Sequence, residues 1–112
     1  MKKIYAFRNH FNDFKNALSE GERKKVMRAL LLLETEDRVP YHYIKYLKEG
    51  VFELRVNYGN NEFRIFHIYD GNLVVILLNA FKKKSQKIPA YELDKAIRLK
   101  YEYYESKRHG SD

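Results

Sequence analysis

The sequence predicts an α+β fold, in which two helical segments are followed by three antiparallel strands and a last helix. Three runs rich in β-branched and aromatic residues cover 51–58, 62–69 and 73–81. They are separated by Gly59-Asn60-Asn61 and Asp70-Gly71-Asn72. Gly, Asn and Asp tolerate the positive φ angles of tight hairpin turns. The three runs therefore predict an antiparallel meander.

Before the meander, the pattern predicts a short first strand over Ile4 to Ala6, extending to Phe7, and then two helices. The first helix begins near residue 8 to 10. Ser19 and Glu22 have the spacing of a capping box, so the second helix begins there and ends near Glu36. Both helices carry apolar residues at helical spacing, which predicts a helix hairpin that packs on the core. The apolar positions are Phe7, Phe11, Phe14 and Leu18 in the first helix, and Val26, Met27, Leu30, Leu31 and Leu33 in the second.

Residues 37–50 read as a loop with one irregular turn, since Pro40 and a mixed set of aromatic residues interrupt any period. Pro89 suits the first position of a final helix. Its predicted core face consists of Leu93, Ala96, Ile97, Tyr101 and Tyr104. We expect a single domain over residues 1–106 and a frayed tail over residues 107–112.

Composition limits the possible functions. The chain has 112 residues, a net charge of +7 and a pI near 9.5, which favours a polyanionic or acidic partner. Without cysteine it has no thiolate nucleophile, disulfide or cysteine-based zinc site, and its four histidines lack metal-ligand spacing. We expect no metal or other cofactor. The sequence has no signal-peptide pattern and no apolar run of membrane-spanning length, so we expect a cytoplasmic protein without a membrane partner.

Strand alternation predicts which side chains share a face of the sheet. A two-residue turn after Tyr58 would place Arg55 on the same face as Arg64. A two-residue turn near Gly71 would add Leu73, Val75, Leu77 and Asn79 to that face. We expect both arginines to be exposed. The opposite face would pack against the helix hairpin through Phe52, Leu54, Val56, Phe63, Ile65, Val74, Ile76 and Leu78, and His67 on that side would have a structural role.

Lysines 82, 83, 84 and 87 follow the last strand, where they and the two arginines could hold phosphate groups. A lysine run is also typical of a solvated turn, and Arg55 could form a surface salt bridge with Glu53. The lysine run and the arginine pair together favour a nucleic-acid backbone as the partner.

Three segments resemble the RelE/ParE superfamily of toxins from bacterial toxin–antitoxin systems, and within it the HigB-like, phage-related branch. They are Leu47 to Arg55, Phe63 to Phe66, and Leu77 to Pro89, which reads LLNAFKKKSQKIP. The branch typically has a G-[LV]-[YF]-E-L-R strand, a Y-R-I strand and an L-L-H-x-F-x-K-K-[TS]-Q-K-[TS]-P segment. The combined pattern implies a RelE-like fold over residues 1–106.

The resemblance implies a ribosome-dependent mRNA endonuclease that is neutralised by a helix-turn-helix, HigA-like antitoxin. In RelE-like enzymes a ribose 2′-hydroxyl attacks the neighbouring phosphate without a metal. Arg55 and Arg64 would then clamp phosphate, while Lys83 and Lys82 would stabilise the transition state or assist proton transfer. The RNA-binding residues would be Lys84, Gln86, Lys87, Asn79 and Tyr91.

Two departures from the branch pattern leave other functions open. Asn79 stands where the branch often has histidine, and Ile88 replaces a hydroxyl residue, so the sequence reveals no general base. Tyr91 could act as an acid, stack on a base or simply pack. The alternatives are a ParE-like inhibitor of DNA gyrase, which acts without catalysis, and a degenerate, non-toxic RNA-binding relative.

Overall fold

The computed structural model describes residues 1–110 as a five-stranded sheet with helices on both faces. The strand order is β1-β5-β4-β3-β2; β1 runs parallel to β5, and the other neighbours are antiparallel. The elements are β1 (Lys3–Ala6), α1 (His10–Asn16), α2 (Glu20–Thr35), β2 (Ile44–Lys48), β3 (Val51–Tyr58), β4 (Asn61–Asp70), β5 (Val74–Lys83) and α3 (Ala90–Gly110). The predicted α+β fold, with its short first strand and helix hairpin, is confirmed.

The strand β2 corrects the prediction that residues 37–50 form a loop throughout. It pairs with β3 from Ile44↔Leu54 to Lys48↔Val51 and lies at one edge of the sheet, so the antiparallel part has four strands. Only Ile44 and Leu47 are partly buried in β2, because an edge strand contributes little to the core. Its lysines, Lys45 and Lys48, are typical of an edge strand that resists further pairing.

The β3–β4 hairpin confirms the predicted alignment of the arginines. Tyr58 pairs with Asn61, which leaves a two-residue turn, and Gly59 at the first turn position has a φ of 59°. Without a Cβ, glycine adopts this positive φ at little cost. Arg55 and Arg64 are therefore directly opposite each other on one face of the sheet.

The predicted register of β5 is wrong for most of its length. Asp70 pairs with Val74, so the turn has three residues rather than two, and Val75 and Leu77 lie on the face that α2 covers. Ile76 and Leu78 lie instead on the α3 face. A bulge then adds one residue to β5 between the pairs His67↔Leu77 and Ile65↔Ala80. Beyond the bulge, odd-numbered residues of β5 lie on the same face as Arg64 again, as predicted. Phe81 accordingly pairs with Arg64 on the α3 face.

Two hydrophobic clusters hold the layers together. α1 and α2 pack on one face of the sheet through Phe11, Val26, Leu30 and Leu33. The predicted capping box starts α2: Ser19 Oγ accepts from the Glu22 amide, and the Ser19 amide donates to Glu22 Oε1. The apolar stripe is narrower than predicted, because Met27 and Leu31 are exposed.

The helix α3 packs on the other face through Ala96 and Leu99, with Leu93, Ile97 and Tyr103 beside them. Tyr101 and Tyr104, two of its predicted core residues, are exposed instead. Tyr103 Oη donates a hydrogen bond of 2.5 Å to the Asp70 carboxylate. Burial and this carboxylate raise the pKa of Tyr103 to about 12.

Residues 107–110, which the sequence analysis assigned to a tail, continue α3. Lys107 Nζ lies 2.6 Å from Asp70 Oδ2, so the last turns of the helix remain attached to the end of β4. Residues 111–112 of the predicted tail lie outside the described residues. No helix within residues 1–110 combines the length and apolar character needed to span a membrane.

Candidate nucleic-acid cleavage site

Three charged side chains form a connected group on the α3 face of β3 and β4. Glu53, which is 1% exposed, accepts a hydrogen bond of 2.8 Å from Arg55 Nε, and its other carboxylate oxygen lies 3.8 Å from Arg64 Nε. Arg64 also donates to the Phe63 carbonyl and to Glu62 Oε1, both at 3.0 Å. A buried carboxylate is stable only when cations compensate it, so the two arginines and Glu53 depend on one another.

The two arginines differ in what they can offer a ligand. The side chain of Arg64 is only 5% exposed, contrary to the expectation that both arginines lie on the surface. The side chain of Arg55 is 35% exposed, and its two terminal nitrogens donate to no acceptor within the described part of the chain. Arg55 therefore presents a guanidinium fork held in place at Nε, while Arg64 holds neighbouring groups in place.

The open edge of β3 gives access to this group. β2 pairs with β3 only as far as Leu54, and beyond that point the Arg55 amide donates to the Tyr43 carbonyl at 2.7 Å. A cleft of about 400 Å³ lies at this edge. We call it the arginine cleft; its walls are Lys25, Ala29, His42, Tyr43, Arg55, Val56, Asn57, Glu62 and Arg64.

The two lysines at the end of β5 lie on opposite faces of the sheet. Lys83 pairs with Glu62 and shares the face of Arg64, next to the arginine cleft. Lys82 pairs with Phe63 and lies on the α2 face, which separates it from the other predicted catalytic residues, Arg55, Arg64 and Lys83. There it contributes to the lowered pKa of Glu22, whose main cause is the hydrogen bond from the Ser19 amide.

A second groove, of about 450 Å³, adjoins the arginine cleft at Glu62 and contains Lys83, Lys84 and Gln86. Lys87 is exposed in the same loop but does not line the groove, and Ser85 Oγ donates to its carbonyl. Tyr91, 70% exposed in the first turn of α3, lines neither cavity. Of the predicted RNA-binding residues, Lys84 and Gln86 thus lie beside Lys83.

Asn79 is buried and lies away from both cavities. Its amide nitrogen donates to the carbonyl and to Oε1 of Glu92, each at 3.0 Å, which ties β5 to the start of α3. Asn79 is 2% exposed, so its side chain presents almost no surface to an RNA ligand, and these bonds give it a structural role.

His67 lies in the core, on the face that α2 covers, as expected. It is fully buried, stacks on Phe52 with ring centroids 6.0 Å apart, and its Nδ1 lies 3.3 Å from the Ile65 carbonyl. Burial lowers the pKa of His67 to about 4, so its imidazole is neutral at physiological pH. The side chain is therefore not a candidate for catalysis.

The residues of the arginine cleft that sequence reasoning missed include Lys25 from α2, His42 from the segment before β2, and Glu62 from β4. Lys25 and His42 line the same cleft as the two arginines only because the tertiary fold brings them there. No spacing in the sequence could therefore predict that they belong to the site. Glu62 could have been found, because alternation places it on the face of Arg64. Within residues 1–110 no three His, Asp or Glu side chains are arranged to hold a metal ion.

The charges of this region suit a phosphodiester. Glu53 and Glu62 offset Arg55 and Arg64, so Lys25, Lys83 and Lys84 carry the remaining positive charge. A phosphate group at the fork of Arg55 would receive charge-assisted hydrogen bonds from fixed donors. Such donors stabilise the extra charge that phosphoryl oxygens develop in a transition state.

Comparison with known proteins agrees with the fold. A chain of the archaeal RelE–RelB complex from Pyrococcus horikoshii OT3 superposes with a TM-score of 0.54 and 11% sequence identity, covering 77% of this chain and 98% of that chain. At this identity the likeness shows the fold alone. No curated protein sequence is significantly similar to the chain.

The match of the sequence to a protein family is more specific than the structural likeness. Residues 13–101 match the family described as "Phage derived protein Gp49-like (DUF891)", which is more than half of the chain. Gp49-like proteins are RelE-like toxins. This family agrees with the RelE-like fold of the structure and with the three sequence segments that resemble the RelE/ParE superfamily. The chain thus belongs to the Gp49-like family of phage-derived proteins, within the RelE/ParE superfamily of toxin–antitoxin toxins.

Proposed function

We propose that this toxin is a ribosome-dependent mRNA endonuclease. The observation that carries the proposal is the fork of Arg55, fixed by buried Glu53 and open to the arginine cleft. An inhibitor that acts only by binding does not need a preorganised guanidinium in a recess. A nuclease does, because it must stabilise charge on one particular phosphate.

The proposed reaction is attack of a ribose 2′-hydroxyl on the adjacent phosphorus, which releases the 5′-oxygen of the next nucleotide. Arg55 binds the phosphoryl oxygens, and Arg64 keeps Glu53 and Glu62 in position. Lys83 stabilises the developing charge from the neighbouring groove, while Lys84 and Gln86 contact the flanking RNA. Lys82 lies on the other face of the sheet and has no part in this step.

We further propose that the toxin is HigB-like and binds a helix-turn-helix antitoxin. The support is the segment from Leu77 to Pro89, which resembles the HigB-like branch, together with the structural likeness to a RelE–RelB complex. With a net charge of +7, the toxin suits an antitoxin whose contacting segment is acidic.

The test measures mRNA cleavage in cells that express the protein and inhibition of DNA gyrase by the purified protein. We expect induction to arrest growth, and mapping of cellular mRNA 5′ ends to reveal codon-phased cuts, while purified DNA gyrase keeps its supercoiling activity. Blocked supercoiling with intact mRNA would instead identify a ParE-like gyrase inhibitor. Normal growth with intact mRNA would identify a degenerate relative.

EDTA and added salt test the proposed cleavage chemistry and the contact with RNA. Cleavage of ribosome-bound mRNA should persist in EDTA, with ribosome integrity followed in a separate control, because the proposed step uses no metal. Ribosome binding should weaken steeply with added salt, since lysines 83 and 84 displace counterions from RNA phosphates. Cleavage that strictly requires a metal ion would contradict the mechanism.

A further inference from the structure

We propose that His42 is the general base of this RNA cleavage. The inference rests on the proposed nuclease function and supplies the proton acceptor that the sequence pattern lacks. It follows from the position of His42 in the arginine cleft and from the chemistry of the other side chains there.

Two backbone hydrogen bonds hold His42 beside the phosphate-binding fork. The Tyr43 amide donates to the Pro40 carbonyl at 2.9 Å, which closes a turn with Tyr41 and His42 at its centre. The Arg55 amide in turn donates to the Tyr43 carbonyl at 2.7 Å. The turn is thus attached to β3 at the residue that carries the guanidinium.

The ring of His42 has an orienting neighbour and free nitrogens. Its centroid lies 4.3 Å from that of the Tyr43 ring, with 40° between the ring planes, while the Tyr41 ring approaches at a steeper angle. Neither imidazole nitrogen of this exposed residue has a hydrogen-bond partner among residues 1–110. A nitrogen without a protein partner is available to a substrate hydroxyl.

The other polar groups of the cleft are less suited to act as the base. Lys25, Arg55 and Arg64 are cationic donors. Glu62, the only carboxylate that the described residues contribute to the wall, accepts a charge-assisted hydrogen bond from Arg64 Nη2 at 3.0 Å. The amide of Asn57 and the phenol of Tyr43 are poor bases when neutral. Histidine is the side chain that most often acts as a general base in enzymes, so His42 is suited to the role.

In the proposed step, a neutral nitrogen of His42 takes the proton of the 2′-hydroxyl while the 2′-oxygen bonds to phosphorus. The bond from phosphorus to the 5′-oxygen breaks, and that oxygen takes a proton from water. The products are a 2′,3′-cyclic phosphate and a 5′-hydroxyl end, and the imidazolium later returns its proton to solvent. The charged groups that face His42 across the cleft are Lys25 from α2, Arg55 from β3, and Glu62 and Arg64 from β4.

The experiment measures single-turnover cleavage of ribosome-bound mRNA against pH for wild type, His42→Phe and His109→Phe. His109 is an exposed histidine near the end of α3, outside the cleft, and serves as the matched control. We expect His42→Phe to lower the rate by about 100-fold, in the range of general-base contributions. The dependence of the rate on pH should differ between wild type and His42→Phe, because the variant lacks the proposed proton acceptor.

Because phenylalanine keeps an aromatic ring, it distinguishes proton transfer from stacking on RNA. Near-wild-type cleavage by His42→Phe would overturn the proposal and assign the ring a stacking role. Loss of ribosome binding in His42→Phe, measured beside cleavage, would also contradict it. If His42→Phe did not fold, His42→Gln would take its place with the same two criteria. Failure of the wild type to cleave mRNA at all would refute the nuclease function itself, which is a different result.

Discussion

The carboxylate of Glu53 lies buried in the sheet and accepts a hydrogen bond of 2.8 Å from Arg55 Nε, which leaves the terminal nitrogens of Arg55 free to face the arginine cleft. This contact fixes the direction of a long side chain that would otherwise sample many rotamers. Preorganisation of this kind is what electrostatic catalysis requires, because the donors need not reorient when charge develops.

The first prediction concerns stability. Arg64→Ala should destabilise the fold by about 3 kcal/mol, because it leaves the buried Glu53 carboxylate with a single cation. Urea unfolding measures the change. Arg98→Ala is the matched control, since Arg98 has a 63% exposed side chain on α3 and its removal should cost less than about 1 kcal/mol. Equal losses for the two variants would show that Arg64 does not compensate Glu53.

The second prediction concerns activity at Arg55. Arg55→Ala should lower the rate of mRNA cleavage by about 100-fold, as expected when one fixed donor to a transition state is removed. Arg55→Lys should restore little of it, since an ammonium group lacks the planar fork. Single-turnover cleavage on ribosomes gives these rates, and circular dichroism verifies the fold. Full activity of Arg55→Lys would mean that charge alone is sufficient at this position.

The third prediction uses two adjacent lysines as a matched pair. Lys83→Ala should reduce cleavage by about 10-fold or more, whereas Lys82→Ala should leave it within about twofold of wild type, because the two side chains lie on opposite faces. Both variants lose the same charge, so nonspecific electrostatic attraction to RNA falls equally. Similar effects of the two substitutions would indicate that only net charge is important here.

The fold was largely predictable from local signals. Ser19 and Glu22 predicted the start of α2, and a two-residue turn at Gly59 predicted that Arg55 and Arg64 share one face of the sheet. The register of β5 was not predictable, because a three-residue turn after Asp70 and a later bulge each shift the alternation by one residue. The edge strand β2 was missed because its pattern of burial is too weak to produce a clear period.

The candidate site was predictable only in part. Alternation along β3 and β4 placed Glu53, Arg55 and Arg64 on one face, but could not reveal that Arg64 would be buried. That burial depends on how the sheet and helices pack together. His42 is 13 residues before Arg55 in the chain, and only the turn at Pro40–Tyr43 and its hydrogen bond to β3 bring the two together. Contacts of this kind leave no periodic signal in one sequence.

The last prediction concerns the pH dependence of stability. Burial lowers the pKa of His67 to about 4 in the folded protein, whereas an unfolded chain has a histidine pKa near 6.5. The unfolded state therefore binds more protons between these two values, and protonation favours unfolding there. The stability contributed by the neutral ring is fully present above about pH 6.5 and is lost as the pH falls towards 4, by up to about 3 kcal/mol.

Urea unfolding of wild type and His67→Phe at a series of pH values between 7 and 4 tests this linkage. Phenylalanine keeps an aromatic ring beside Phe52 but cannot take up a proton, so the variant should lose distinctly less stability over that range. His10 also has a lowered pKa, chiefly through burial and then through Lys95, and remains in both proteins, so its contribution cancels in the difference. Parallel stability curves for the two proteins would mean that His67 is protonated in the folded core as readily as in the unfolded chain.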